Sequence, residues 1–310
     1  MNETKNNLNE TDLLDKEIEF KEIVELVWNA KKILLSVSLI TVIFSSLYAL
    51  SIDDYYRSKA ILVPSENQDM GFMSQYSGLA SLAGVSLPSS GGNKVAEIIE
   101  IIQSREFVKH LLEFDNVLPS LMAVESFDKD SLQLTYNKDL YDSSTKEWTQ
   151  NEDLEISNKP SYLKVHEKYK DDVLTIDKDS RTGLISISVK HPSPIFAKYF
   201  LSLIIKEANN LTRSNDIESS SKAIEYLEAE LSQTSLIQMK DSINQLIKSQ
   251  LETRMLANVN EDYSLAMIDP PFIPEMKEGP NRKMIVLIWT FAAIFLSLIV
   301  IVIQGFIKRN

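Results

Sequence analysis

The stretch MIVLIWTFAAIFLSLIVIVIQGFI, residues 284–307, is 24 residues long and carries no charge. As a helix with a rise of ~1.5 Å per residue it would be about 36 Å long, which is enough to cross a bilayer. A second uncharged run, ILLSVSLITVIFSSLYAL at residues 33–50, lies near the other end of the chain. Core helices of soluble proteins keep a polar stripe, and neither run has a charged one. We therefore predict two transmembrane helices, at residues 33–52 and 284–307.

Two spans would place both chain ends on one side of the membrane and residues 53–283 on the other. Lys31 and Lys32 precede the first run, and Lys308 and Arg309 follow the second. Because positively charged flanks favour the cytoplasmic side, we expect both termini in the cytoplasm. The expected organisation is a tail at 1–32, a large domain at 53–283 on the opposite side of the membrane and a short tail at 308–310.

The composition argues against several classes of function. The chain has a net charge of −12, no cysteine, three histidines and eight glycines. Such an acidic chain is a poor candidate for nucleic-acid binding, and thiolate metal sites and thiol catalysis are excluded. The sequence contains no nucleotide-binding P-loop, no HExxH zinc motif and no nucleophile-elbow motif. We predict a protein that is not an enzyme and that has no catalytic residues, no metal and no cofactor.

The first tail contains an amphipathic pattern. Phe20, Ile23, Val24 and Val27 share one helical face, and Trp28 follows them towards the first span. The pattern favours a helix that approaches the membrane along its surface, and a plain juxtamembrane linker is the alternative.

The loop between the spans mixes strand and helix patterns, which indicates an α+β fold. YYRSKAILVP, residues 55–64, has the content of a strand, and residues 173–176 and 184–189 read as paired strands with Gly183 at the turn. Asn93 is the expected N-cap of a helix that extends to Phe114. Residues 65–92 are rich in Gly and Ser, and they form either a contact with a neighbouring subunit or an ordinary surface loop.

A long helical region is expected at about 194–258. Pro194 suits the first turn of a helix, and apolar residues recur at helical spacing beyond it. The pattern is interrupted at 232–235, so the region is either one long rod or a hairpin that turns near 232–240. A helix from Pro194 to Leu231 would be about 57 Å long and would project from a compact base. Its apolar residues then need neighbours, which predicts a homo-oligomer.

The segment IDPPFIPEMKEGPNRK at residues 268–283 leads into the second span. Pro271, Pro274 and Pro280 exclude a regular helix or a central strand there. The segment is either a stiff, extended connector at 270–280 that fixes the domain over the span, or a simple helix stop.

This layout resembles the Wzz-type chain-length determinants, the polysaccharide co-polymerases of Gram-negative inner membranes. The resemblance extends from about Ile18 to the C-terminus. It rests on the membrane approach with Trp28 and Lys31, on GLASLAGVSL at 78–87, on HPSPIFAKYFLSLIIKEANNLTR at 191–213 and on the proline-rich segment. Gly279 stands where the family usually has Ser before the last proline, Pro280.

The resemblance implies a two-pass inner-membrane protein with a periplasmic α/β base domain and a projecting helix or helical hairpin. It implies a regulator of O-antigen or similar lipid-linked polysaccharide length, which forms a closed ring of identical subunits, an octamer by resemblance, and works with an integral-membrane polymerase. The alternative is an export or adaptor subunit for capsule or exopolysaccharide, working with a separate cytoplasmic kinase.

The second span lacks the GxxxG pattern that is common in the family, and its nearest pair of small residues is Ala293 and Ser297. Residues four apart share one helical face, and small side chains let helix backbones approach closely in lipid. The pair is therefore a candidate packing surface for the polymerase or for neighbouring subunits, and the alternative is that both residues face lipid.

Overall fold

The computed structural model describes residues 28–65, 90–151 and 156–307. The amphipathic tail residues Phe20, Ile23, Val24 and Val27, the motif at 78–87 and the C-terminal cations lie outside these ranges. The chain divides into two compact units, one formed by residues 1–53 and 279–310 and the other by residues 54–278. We refer to them as the paired-helix unit and the α/β unit.

The paired-helix unit contains α1 (Lys31–Ser51) and α8 (Arg282–Ile307), which pack along each other. Both helices are long enough and apolar enough to cross a membrane. Their serine and threonine hydroxyls bond to carbonyls three or four residues back in the same helix, as Ser45, Thr290 and Ser297 do. These hydroxyls therefore need no partner outside their own helix.

The α/β unit is built on a four-stranded antiparallel sheet. The strand order is β10 (Leu265–Asp269), β1 (Tyr56–Pro64), β9 (Ile185–His191) and β8 (Leu174–Lys178), so the first strand of the unit lies between the last strand and β9. Side chains of β1 alternate between the two faces of the sheet, and those at 56, 58, 60 and 62 are buried.

Helices cover the buried face of this sheet and complete the core. Phe200, Leu201 and Ile204 of the longest helix are fully buried in the same cluster as Ala60, Leu62 and the apolar residues of β9. Tyr169 is also buried there, and its hydroxyl donates to the Ile102 carbonyl at 3.1 Å. The short helices are α2 (Ser90–Gln103), α3 (Arg105–Leu111), α4 (Val117–Met122), α5 (Tyr162–Lys168) and a π-helical turn at Tyr169–Val173.

The segment between α4 and α5 forms small antiparallel ladders. They pair β2 (Val124–Asp128) with β3 (Gln133–Tyr136), β4 (Tyr141–Asp142) with β5 (Glu147–Trp148), and β6 (Gln150–Asn151) with β7 (Ile156–Ser157). The rings of Tyr136, Tyr141 and Trp148 pack against one another at centroid distances of 5.4 and 5.3 Å. Aromatic packing therefore holds this ladder region together.

The long helical region is a hairpin, one of the two alternatives that the sequence left open. Helix α6 (Pro194–Gln233) has 40 residues and begins with Ser193 as N-cap and Pro194 in its first turn. Helix α7 (Ile237–Val259) follows after three residues and packs against it. The expected interruption at 232–235 therefore coincides with the turn.

One helix boundary differs from the sequence expectation. The helix expected from Asn93 to Phe114 begins at Ser90 and ends at Gln103, and a new helix begins after Ser104. The Ser104 side chain accepts a hydrogen bond from the Phe107 amide, so it caps the second helix. The apolar spacing continues across this break, which is why the pattern alone indicates one helix.

Candidate functional site: the proline-rich connector

The proline-rich connector, residues 270–280, belongs to both units, and its first nine residues lie in the α/β unit. Pro271 and Pro274 are buried, whereas Phe272, Ile273 and Met276 are exposed. The prolines therefore face the protein, and the larger apolar side chains between them face outward. An extended backbone of this kind follows from the fixed φ of proline and its missing N–H.

Main-chain groups of the connector are bonded to the beginning of β1. The buried Ser58 hydroxyl donates to the Phe272 carbonyl at 2.7 Å. The Glu278 amide donates to the Tyr55 carbonyl at 3.0 Å. These two contacts hold the connector against the strand that follows the first apolar helix in the chain.

Ion pairs reinforce the end of this attachment. The Arg57 guanidinium is paired with the Glu278 carboxylate, and Lys277 Nζ lies 2.8 Å from Asp54 Oδ1. Lys129 Nζ lies 3.5 Å from the other Asp54 oxygen. Exposed pairs contribute little singly, so the charges act mainly as a network that orients the connector.

Gly279 and Pro280 lie in the paired-helix unit, just before α8. Gly279 is buried, and the Arg282 amide donates to the Pro280 carbonyl at 2.9 Å. The structure thus places Pro271 and Pro274 on the α/β unit and places Gly279 and Pro280 on the helical unit. The six predicted site residues do not form one cluster.

Ala293 and Ser297 lie within α8, on a stripe of half-buried residues that also includes Thr290. The Ser297 hydroxyl donates to the Ile294 carbonyl at 2.8 Å. Since α1 is the helix that packs along α8 in this unit, the stripe faces within the unit.

The printed contacts of the connector are hydrogen bonds and ion pairs that hold its backbone in place. In the described ranges, no group of three or more His, Asp and Glu side chains is placed to hold a metal ion. The sequence reasoning singled out the prolines but missed the residues that bond to the connector between and after them, namely Ser58, Arg57 and Asp54. The strand content of residues 55–64 was visible in the sequence, but the connector partners of Ser58, Arg57 and Asp54 lie more than 200 positions away along the chain.

Residues 16–113 match the family model described as "Wzz: Chain length determinant protein". Among solved structures, the chain is similar to a full-length bacterial polysaccharide co-polymerase, with 10% identity, a TM-score of 0.38 and coverage of 94% of this chain and 99% of that one. It is also similar to a fragment of WzzB, a polysaccharide co-polymerase from Salmonella Typhimurium, with 13% identity, a TM-score of 0.28 and coverage of 73% and 100%. No curated protein sequence matches the chain. The resemblance to the Wzz chain length determinant proteins is therefore confirmed over residues 16–113.

Proposed function

We propose that this protein is a non-enzymatic regulator that sets the chain length of a lipid-linked polysaccharide, lipopolysaccharide O-antigen or a similar polymer. It would act as a co-polymerase beside an inner-membrane polymerase. The observation that carries the proposal is the chain-length-determinant match over residues 16–113. Two span-capable helices at the ends of an α/β unit support it.

The proposed topology is a two-pass inner-membrane protein with both termini in the cytoplasm. Residues 1–32 and 308–310 form the tails, the spans are at 33–52 and 284–307, and residues 53–283 lie in the periplasm. Lys31 and Lys32 at the start of the first span support this orientation, because cations favour the cytoplasmic side.

We further propose that the subunits form a closed ring, an octamer by family resemblance. The hairpin supplies the supporting observation, because it exposes large apolar side chains along both helices, and such surfaces commonly mark protein contacts. These residues are Tyr226, Leu236, Ile237, Met239, Leu246, Leu251, Met255 and Val259.

In this proposal the connector is the functional link in the chain between the α/β unit and the second span. Pro271 and Pro274 stiffen the part of the connector that is bonded to the beginning of β1, and Gly279 and Pro280 lead into α8. The bonds from Ser58 to Phe272 and from Glu278 to Tyr55 support this role of the connector. They fix its backbone through residues other than proline, which has no N–H to donate. Ala293 and Ser297 are proposed as a helix-packing surface.

The test of the function is the length distribution of the surface polysaccharide. Deleting the gene should leave the polymer present but remove its preferred length, and the wild-type gene should restore that length. Complete loss of polymer, or loss of export with unchanged lengths, would instead favour an export or adaptor subunit.

The test of the connector is replacement of Pro271, Pro274 and Pro280 together by Ala. We expect normal membrane levels and assembly with a shifted or broadened length distribution. Pro160→Ala is the matched control, because it makes the same chemical change in a loop outside the connector. If the triple variant fails to accumulate while the control is normal, the prolines serve folding and their proposed role is wrong.

A further inference from the structure

Near the end of the first apolar helix, α1, the Ser51 hydroxyl donates to the Tyr48 carbonyl at 2.8 Å, which satisfies one carbonyl of the last turn. The C-cap residue of α1, Ile52, has an extended backbone, and no basic residue occurs in the last turn of the helix. The last four carbonyls of a helix have no backbone N–H donor within that helix, and glycine-based caps often supply one. At the edge of a bilayer, such carbonyls need donors from elsewhere in the protein.

Arg282, the first residue of α8, supplies those donors. Its Nε lies 3.0 Å from the Ala49 carbonyl oxygen, and its Nη2 lies 3.1 Å from the Ile52 carbonyl oxygen. The planar guanidinium reaches two acceptors at once, which a lysine ammonium on a flexible stem does less well. Its positive charge also suits the negative end of the α1 dipole.

The packing around this contact brings the two helices close together. Ser45 and Ala49 are the buried residues of α1, and both are small. They are four positions apart, so they lie on one face, and small side chains permit close approach of two helices. Because the start of α8 contacts the end of α1, the two helices run antiparallel from this point.

We propose that Arg282 is a positioning residue that fixes the pairing and register of the two membrane helices. The guanidinium holds the start of α8 to the end of α1. The small residues Ser45 and Ala49 let the two helices pack closely along the preceding turns of α1. This pairing sets how the second helix presents its half-buried stripe. The consequence for polysaccharide length rests on the proposed function, whereas the helix pairing does not.

The simplest alternative is that Arg282 serves only as a charge at the membrane surface. Lys283 is the matched residue for that reading, because it is the neighbouring cation and is exposed. A role in surface charge predicts equal effects at both positions. A capping role predicts an effect at Arg282 alone.

The absence of cysteine from the chain makes a crosslinking test direct. One cysteine replaces Val42, on the half-buried side of α1, and a second replaces either Thr290 or Phe291 in the full-length protein. Thr290 is half-buried and Phe291 is exposed. After oxidation in native membranes, we expect efficient crosslinking within one chain for the 42/290 pair and little for the 42/291 pair.

The Arg282→Gln change should lower 42/290 crosslinking severalfold and reduce the preference over 42/291. Arg282→Lys should retain part of the preference, and Lys283→Gln should match the unchanged parent. In cells, Arg282→Gln should also broaden the polysaccharide length distribution at normal protein level. If Arg282→Gln lowers the protein level, the crosslinking preference of Arg282→Lys is compared with that of Lys283→Gln instead. A weaker preference in Arg282→Lys than in Lys283→Gln then supports the capping role, and equal preferences contradict it.

Unchanged crosslinking in Arg282→Gln, or an equal loss in Lys283→Gln, would overturn the proposal. If Arg282→Gln changes the crosslinking pattern but not the length distribution, Arg282 fixes the helix pairing, and the pairing does not control polysaccharide length. If deletion of the gene leaves polysaccharide lengths unchanged, the proposed function is wrong, and the conclusion about helix pairing is unaffected.

Discussion

The two halves of the 40-residue helix α6 share one backbone but differ sharply in burial. Most side chains from Pro194 to Asn209 are buried, whereas only Ser220 and Ile224 are buried in the remainder. The first half packs across the sheet, and the second half packs mainly against α7. One unbroken helix therefore passes from a buried to an exposed environment. The same kind of substitution should lower the free energy of unfolding much more in the first half than in the second.

The largest expected effect is at Phe200, in the buried half. Its ring is fully buried and packs against Phe196 and Tyr169 at centroid distances of 5.4 and 6.0 Å. Phe200→Ala should lower the free energy of unfolding by about 3–5 kcal/mol, because it removes apolar contacts and leaves a cavity. Urea unfolding of the detergent-solubilised protein, followed by tryptophan fluorescence, measures the change.

Tyr226→Ala in the exposed half is the control for this prediction. The Tyr226 side chain is 67% exposed. Its removal should change the unfolding free energy of the monomer by less than about 0.5 kcal/mol. Similar losses at both positions would show that the exposed half is as tightly packed as the buried half.

Local patterns predicted the elements whose cause is local. The strand pair at 173–176 and 184–189 is present as 174–178 and 185–191, and Gly183 has the positive φ of +74° that its turn requires. The start of the long helix at Pro194 is confirmed. In each case residues that are close in sequence determine the local conformation, so a short stretch of sequence is enough to predict it.

The long-range features could not be predicted in the same way. The pairing of β1 with β10 joins residues about 200 positions apart, and the sequence showed only one convincing strand pair. The choice between a rod and a hairpin also depended on contacts between α6 and α7. Of the candidate site, the prolines were singled out, but the bond from Ser58 to the Phe272 carbonyl was not predicted, because a serine in a strand does not reveal its partner.

The second prediction concerns His191, at the end of β9 just before the buried half of α6. Its ring is buried, its Nδ1 accepts from the Ser193 amide at 3.0 Å, and its Nε2 lies 2.8 Å from the Ser120 carbonyl. Nε2 therefore carries the proton of a neutral ring and donates it to that carbonyl. Burial lowers the pKa of His191 to about 4.

This lowered pKa makes stability depend on pH. As the pH falls below about 6.5, His191 of the unfolded chain binds a proton that the folded protein does not accept until about pH 4. Stability is therefore lost between these values, by about 3 kcal/mol in total from this group. Urea unfolding at a series of pH values measures the loss.

The His191→Gln variant separates this group from the other titrating residues. Gln cannot take up the proton, so the variant should show a shallower loss of stability between pH 6.5 and 4. His166→Gln is the control for the replacement of a histidine by glutamine elsewhere in the same unit. An equally steep loss in His191→Gln would show that another group causes it.

The third prediction concerns Asn209, at the boundary between the two halves of α6. Its buried amide donates to the Leu265 carbonyl at 3.0 Å, and its carbonyl accepts from the Ser264 and Leu265 amides at 2.9 Å. Asn209→Ala would leave these backbone groups unpaired and should cost about 2 kcal/mol of unfolding free energy. Chemical unfolding measures this, with the half-buried Asn210→Ala as the milder control. Equal costs would contradict a special role for the buried amide.

The smallest effect on monomer stability is expected on α7, opposite the exposed half of α6. Leu246 and Met255 are 50% and 59% exposed, so the double change to Gln should alter the unfolding free energy by less than about 0.5 kcal/mol. If neighbouring subunits cover these side chains, the polar replacements should nevertheless weaken assembly, because apolar burial between subunits would be lost. Light scattering of the detergent-solubilised protein measures subunit number, and Lys240→Gln on the same helix serves as the control for a surface change. An unaltered oligomer in the double variant would assign these residues to a solvated face and would leave the exposed half of the hairpin without a partner at that position.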